Sequence, residues 1–154
     1  AERLLKNVGN DVRRLSHKLI PPRFDNASLS ELVCTYCQSM SAENGTIVKP
    51  FVSRSFEKLN LPSRTALEVY RIVQESVSNA IKYGYSKMIT VTLDASNNQA
   101  SLCIANDISP EHPITQGKMG IGKDTLKMRT EALKAVLTIS EQDEEYKVEV
   151  RFPL

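Results

Sequence analysis

The sequence predicts an α+β protein: a two-layer sandwich of helices on a mostly antiparallel sheet, with a bundle-like helix at its N-terminus. Three observations carry this prediction. Helical and strand-like segments follow in the order helix, helix, strand, helix, hairpin, loop, helix, hairpin, so the strands fall mostly into adjacent pairs. The second half of the chain holds period-two runs separated by turn residues. Residues 2–20 carry a narrow seam of Leu5, Val8, Val12, Leu15 and Leu19, in alternating steps of three and four. A chain of 154 residues accommodates one domain with a real core plus an appended element. We assign residues 1–24 to the appended helix and 25–154 to the domain.

The seam at Leu5 to Leu19 is heptad-like and too narrow for an ordinary core face, so its expected partner is another helix. Pro21-Pro22 stops it. Ser28 and Glu31 have capping-box spacing and open a helix from Leu29 to about Ala42, which Asn44-Gly45 ends. Thr46 to Val52 reads as a strand, and Pro50 places it at a sheet edge. A polar connection over 53–62 leads to a long helix, with Ser63 as its N-cap and Gly84 as its stop. Ile89, Val91 and Leu93, then Leu102 and Ile104, alternate with polar or small residues, and Asn97-Asn98 forms the hairpin turn between them. A loop from Ile108 to Gly122 precedes a helix from about Asp124 to Ala135. Val136–Ser140 and Tyr146–Phe152 are the closing strands.

The long helix has two unlike faces. Ala66, Tyr70, Val73, Val77 and Ala80 make an apolar stripe, while Arg71, Glu75, Asn79 and Lys82 stack along another side. Taken alone, that polar face reads equally well as a solvated surface or as part of a site. Composition narrows the classes around it. With 41% apolar and 25% charged residues the chain is an ordinary globular one. A net charge of +2 gives no support for nucleic-acid binding as the main role. No apolar run approaches the roughly 20 residues of a membrane span, and none of these residues is expected to belong to a signal peptide. Cys34 and Cys37 have CxxC spacing without a second pair or a nearby His, which favours free, half-buried thiols in a reducing compartment over a redox or metal pair. The start at Ala1-Glu2-Arg3, without Met and already helical in pattern, suggests a piece of a longer protein.

The stretch from Tyr70 to Lys82, with Glu75, Asn79 and Lys82 in an E-x-x-x-N-x-x-K arrangement, resembles the N-box of bacterial sensor histidine kinases. It stands in the expected order before two strands, a glycine-bearing loop and a helix. The ending Val148 to Leu154 is similar to the terminal strand of the same catalytic domain, and Val12 to Pro22 is similar to the end of its dimerisation and phosphotransfer bundle, in the subfamily related to nitrate sensors. The resemblance spans nearly the whole chain. It implies a Bergerat (GHKL) ATP-binding domain over 25–154, with 1–24 as the C-terminal part of the bundle. It also implies Mg·ATP as cofactor, a response regulator and a second copy of the full-length protein as partners, and a cytoplasmic location for this portion of a membrane-anchored sensor. Asn79 would give its amide oxygen to Mg²⁺, Glu75 would hold a metal-bound water or polarise the reacting groups as the catalytic residue, and Lys82 would neutralise phosphate charge, with Arg71 more distant. Gly117, Gly120 and Gly122 resemble the second glycine box of a nucleotide lid, with Thr125 adding a hydroxyl and Asp124 capping the helix that follows. Arg129 matches a basic residue common in that helix.

The chain departs from the family at the first glycine box. Where the family has Asp-x-Gly-x-Gly, this sequence has Asn106-Asp107-Ile108-Ser109-Pro110. Asn106 takes the place of the Asp that accepts from the adenine amine, and its amide oxygen can accept the same proton without charge. Asp107 substitutes only if the strand ends differently, and the bland alternative is that both are simply a strand end. Tyr83 replaces the histidine common after the N-box Lys. His17 is not expected to be the phosphoacceptor. In the resembling subfamily that His lies on the first bundle helix before an Asp, whereas here Lys18 and a double proline follow. His112 is expected to be a solvent-exposed loop residue. One further reading stays open, a degenerate kinase-like domain acting as a docking or phosphotransfer scaffold; the gyrase and chaperone relatives share the fold, but the bundle-like N-terminal segment and the short length argue against them.

Overall fold

The computed structural model describes residues 28–83, 87–108 and 123–154. The N-terminal seam, His17, His112, Gly84 and the three glycines Gly117, Gly120 and Gly122 lie outside the described residues. The elements are α1 (Leu29–Asn44), β1 (Ile47–Val52), α2 (Arg54–Glu57), α3 (Ser63–Tyr83), β2 (Met88–Ser96), β3 (Gln99–Asp107), α4 (Lys123–Ala132), β4 (Val136–Gln142) and β5 (Glu145–Pro153). They form a five-stranded sheet in the order β1-β2-β3-β5-β4 with helices packed on one face, which is the expected α+β sandwich. The β1–β2 pair is parallel and every other pair antiparallel. A parallel neighbour needs a crossover, and α2 with α3 supplies it.

Local chemistry accounts for the boundaries. Ser28 Oγ accepts from the Glu31 amide at 3.2 Å and Glu31 reaches back to the Ser28 amide at 3.3 Å, a complete capping box. Gly45 closes α1 at φ 68°, a left-handed conformation that an L side chain enters only at a cost. Ile47 and Ser53 donate to Lys87 and Leu93 at 3.0 Å, so the odd residues of β1 face β2. The even ones then face the open edge. Pro50, which has no N–H, sits where none is needed, and the Val48 amide and carbonyl there are both bonded by Ser41 Oγ at 2.8 and 3.3 Å. The long helix starts differently from expectation. Ala66 N donates to Pro62 O at 3.0 Å, so Pro62 holds the cap position and Ser63 is the first helical residue. The connection over 53–62 also contains α2, capped by Ser53 Oγ on the Phe56 amide. The last helix ends earlier than Ala135, because Lys134 turns left-handed at φ 54° and Ala135 N–H bonds back to Thr130 O.

The inner sheet face and the apolar side of α3 make the core. Val69, Ile72, Val73 and Val77 of α3 meet Ile89, Val91 and Leu93 of β2, Leu102 and Ile104 of β3, and Val148, Val150 and Phe152 of β5. Each such side chain contributes roughly 1.5–3 kcal/mol by leaving water. Between them, β2 and β5 carry Thr90, Thr92, Asp94, Lys147, Glu149 and Arg151 on the opposite, wetter face. From α1, Val33 and Cys37 pack beneath α3, and the Tyr36 hydroxyl donates to Gln74 O at 3.1 Å. Burial, with the neighbouring Cys34 adding, pushes the Cys37 thiol up to about 12, so it stays protonated and behaves as a small apolar group.

Candidate functional site

A cavity opens where α3, β3, β5 and α4 converge. Helix α3 contributes Ser76 and Asn79, one turn apart, and Leu126 of α4 closes one side. Strand β3 contributes Ile104 and Asn106, and β5 contributes Tyr146 and Val148. The sheet register explains the meeting. Asn106 is paired with Ile89 on one side and Tyr146 on the other, so it points to the inner face at the end of its strand. Asn79 stands at the border between the apolar and polar sides of α3, half-buried. Thus Asn79 and Asn106, 27 positions apart by their numbers, line one space. Its free volume is about 10 Å³, room for roughly one water.

Every lining residue is uncharged. Burial, and secondarily the Glu141 carboxylate, raises the Tyr146 phenol above its ordinary value, which keeps it neutral. Asn106 is 3% exposed and its Nδ2 donates to Asp107 O at 3.2 Å. Ser76 is 5% exposed, and its Oγ is buried without a hydrogen-bond partner. Such an orphaned hydroxyl costs on the order of 1–3 kcal/mol, which a fold retains where a ligand or water completes it. Ser76→Ala is therefore expected to raise stability by about 1 kcal/mol in denaturant unfolding. Unchanged or reduced stability would mean that water already satisfies the hydroxyl.

Asp107 and Asn106 are neighbours with opposite fates. Because β3 continues through Asp107, its side chain lies on the exposed side and Oδ1 accepts from the Lys87 and Met88 amides at 3.1 Å. It anchors the start of β2 and does not line the cavity. Glu75 also lies outside the cavity. Arg129 of α4 donates from Nε to Glu75 at 3.3 Å and from Nη1 to Glu68 at 3.3 Å. One guanidinium thus spans two carboxylates two turns apart and ties α4 to α3. Both pairs are partly exposed and contribute about 0.5–1 kcal/mol each. Arg129→Ala is expected to cost about 1–2 kcal/mol, since Glu68 and Glu75 then face each other unneutralised. In that background Glu68→Gln should recover part of the loss, and a double-mutant cycle reads the coupling. Arg71 Nη1 donates to Gln74 at 3.2 Å, while Lys82, Asp124 and Thr125 are exposed.

The structure therefore divides the polar face. Asn79 joins Asn106, Glu75 joins Arg129, and Lys82 projects outward. Sequence reasoning overlooked Ser76 and Glu68. A small polar residue inside the apolar stripe was the available signal for Ser76. Among the described residues no group of three or more His, Cys, Asp or Glu side chains stands ready for a metal ion. Asn79 offers one amide oxygen at the cavity, a hard donor of the kind Mg²⁺ accepts.

No family model matches the chain. It is 27% identical over 139 residues to the signal transduction histidine-protein kinase/phosphatase UhpB of Salmonella typhimurium, covering 90% of this chain and 27% of the relative. The histidine kinase domain of the Erythrobacter litoralis EL346 blue-light activated histidine kinase superposes with a TM-score of 0.64 at 15% identity, covering 82% of this chain and 61% of that one. Full-length ShkA, solved in complex with AMPPNP, superposes with a TM-score of 0.61 at 13% identity, covering 86% of this chain and 30% of that one. The chain spans roughly a quarter of the length of the curated relative, 27% of UhpB. In sequence it resembles sensor histidine kinases, and its fold is that of histidine kinase catalytic domains.

Proposed function

We propose that this chain is the ATP-binding catalytic domain, residues 25–154, of a two-component sensor histidine kinase, preceded over 1–24 by the end of its dimerisation bundle. The observation that carries the reading is the convergence of Asn79, Asn106 and the orphaned Ser76 hydroxyl on one uncharged cavity, in this fold. AMPPNP, an ATP analogue, is bound by the structural neighbour ShkA. When bound, Mg·ATP supplies a γ-phosphoryl group that passes to an imidazole nitrogen of a His outside this chain, leaving ADP.

The chain's own residues hold and orient. Asn106 and Ser76 face the base through neutral hydrogen-bonding groups. Asn79, half-buried on a rigid helix, offers its amide oxygen to Mg²⁺. Lys82, exposed near the end of α3, neutralises phosphate charge. Glu75, held by Arg129, orients a metal-bound water or polarises the reacting groups. Gly117, Gly120, Gly122 and Thr125 complete the phosphate side in this reading, and Asp107 supports the base end from behind by fixing the start of β2. In the longer protein the reading implies a homodimer, a cytoplasmic location for this portion and transfer onward to an Asp of a response regulator. Among the described residues no helix is long and apolar enough to cross a membrane.

The test is calorimetric titration of the chain with ATP in the presence and absence of Mg²⁺. Saturable binding strengthened by Mg²⁺ is expected. No detectable binding at millimolar nucleotide would overturn the kinase reading. It would favour the non-catalytic scaffold, for which the neutral Asn106 and the narrow cavity are the supporting observations.

A further inference from the structure

The base end of the cavity differs in kind from one built around a carboxylate. A carboxylate only accepts hydrogen bonds, so it selects a 6-amino purine and repels a 6-oxo group. Here the two most buried of the polar side chains lining the cavity are an amide and a hydroxyl. Asn106 is 3% exposed and uses one Nδ2 proton on Asp107 O at 3.2 Å. Among the described residues no other bond to its side chain is made, which leaves Oδ1 and a second Nδ2 proton for a ligand. Ser76, 5% exposed on α3, has a buried Oγ with no partner at all. Both groups line the same small cavity, whose remaining walls are apolar side chains, Asn79 and Tyr146.

An amide held in one orientation still offers an acceptor oxygen and a donor proton, and a hydroxyl reorients freely. The pair therefore has two complementary states. In one, Asn106 Oδ1 accepts from a 6-amino group and Ser76 donates to purine N1. In the other, Asn106 Nδ2 donates to a 6-oxo oxygen and Ser76 accepts from the N1 proton. Resting on the nucleotide-binding reading above, we infer that Ser76 and Asn106 are a neutral base-recognition pair and that the site accepts 6-amino and 6-oxo purine nucleoside triphosphates with little discrimination. Rotation would trade the bond to Asp107 O for a repulsive contact between two oxygens, so the second Nδ2 proton, free in the observed orientation, is the donor to the 6-oxo group. One neutral hydrogen bond is worth up to about tenfold in an equilibrium, so the expected bias towards the 6-amino purine is no more than about tenfold.

The experiment compares binding of ATP and of inosine triphosphate to the full 154-residue chain and to two variants, with thermal melts as folding controls. The unaltered chain is expected to bind the two nucleotides within about tenfold of each other. Asn106→Asp is expected to widen the ratio to about 100-fold in favour of ATP, because the carboxylate leaves the 6-oxo oxygen facing a buried negative charge. Ser76→Ala is expected to weaken both nucleotides by several-fold alike. Inosine triphosphate more than about tenfold weaker on the unaltered chain overturns the inference, and needs no variant to fold. So does an unchanged ratio in a folded Asn106→Asp protein, or a loss confined to one nucleotide in Ser76→Ala. Binding of neither nucleotide is the separate outcome that removes the nucleotide reading itself.

Discussion

Asn79→Ala is expected to weaken Mg²⁺-dependent ATP binding by about 100-fold while the fold stays intact. The argument begins with what Asn79 does without ligand. It is half-buried, lines the cavity and makes no side-chain hydrogen bond to a described residue. Removing its amide therefore breaks little in the protein, and alanine is the better helix former. What is lost is a hard oxygen on a helix whose inner side is locked by Val73, Val77 and Ala80. Calorimetry with Mg²⁺ and with a chelator separates the two contributions. The large loss should occur only with the metal present, and the melting temperature should be nearly unchanged. Equal affinity for both proteins would remove the metal-ligand role from Asn79.

Phe152→Ala carries the largest expected effect on stability, about 3–5 kcal/mol. Phe152 is 2% exposed, lies opposite Ala100 on β3 and belongs to the central cluster with Val150 and Leu102. Alanine leaves a hole in a wall shared by strands distant in sequence, which cannot collapse without moving the β3–β5 ladder. A domain of this size commonly has about 5–15 kcal/mol in total, so the variant should unfold at a much lower denaturant concentration. Arg151→Ala, one residue earlier on the exposed face, is the control and should change stability by less than about 0.5 kcal/mol. A loss below about 1 kcal/mol for Phe152→Ala would mean that the terminal strand contributes little to the core.

These two residues show how legibility divides. Phe152 was readable because period-two alternation with Lys147, Glu149 and Arg151 admits one buried face only. The Asn97-Asn98 turn was readable too, since both residues tolerate the positive φ values of 51° and 61° that a two-residue hairpin demands. The matching turn at Asp143-Glu144 was not. Glu144 sits at φ 60°, where a long side chain is disfavoured, and the β4–β5 pairing, with the Ile108 amide donating to Glu144 O at 2.7 Å, holds it there. Pro50 announced an edge strand, but the sequence had no means of saying that β1 runs parallel to β2.

The site divides in the same way. By itself the sequence determined that Glu75, Asn79 and Lys82 share one side of a helix, because helical periodicity is a local property of the chain. It also determined that Asn106 stands near a strand end, where the resembling family has an acidic residue. Only the tertiary structure decided which groups those residues meet. Asn106 faces inward and Asp107 outward because strand β3 runs through both, a one-residue matter of register. Ser76 became a candidate for the base end because packing buries its hydroxyl unpaired beside Asn106. Glu75 acquired Arg129 as partner because α4 packs against α3 across 54 positions of sequence. Periodicity is written into neighbouring residues, whereas the pairing of distant ones depends on how the layers close around the core.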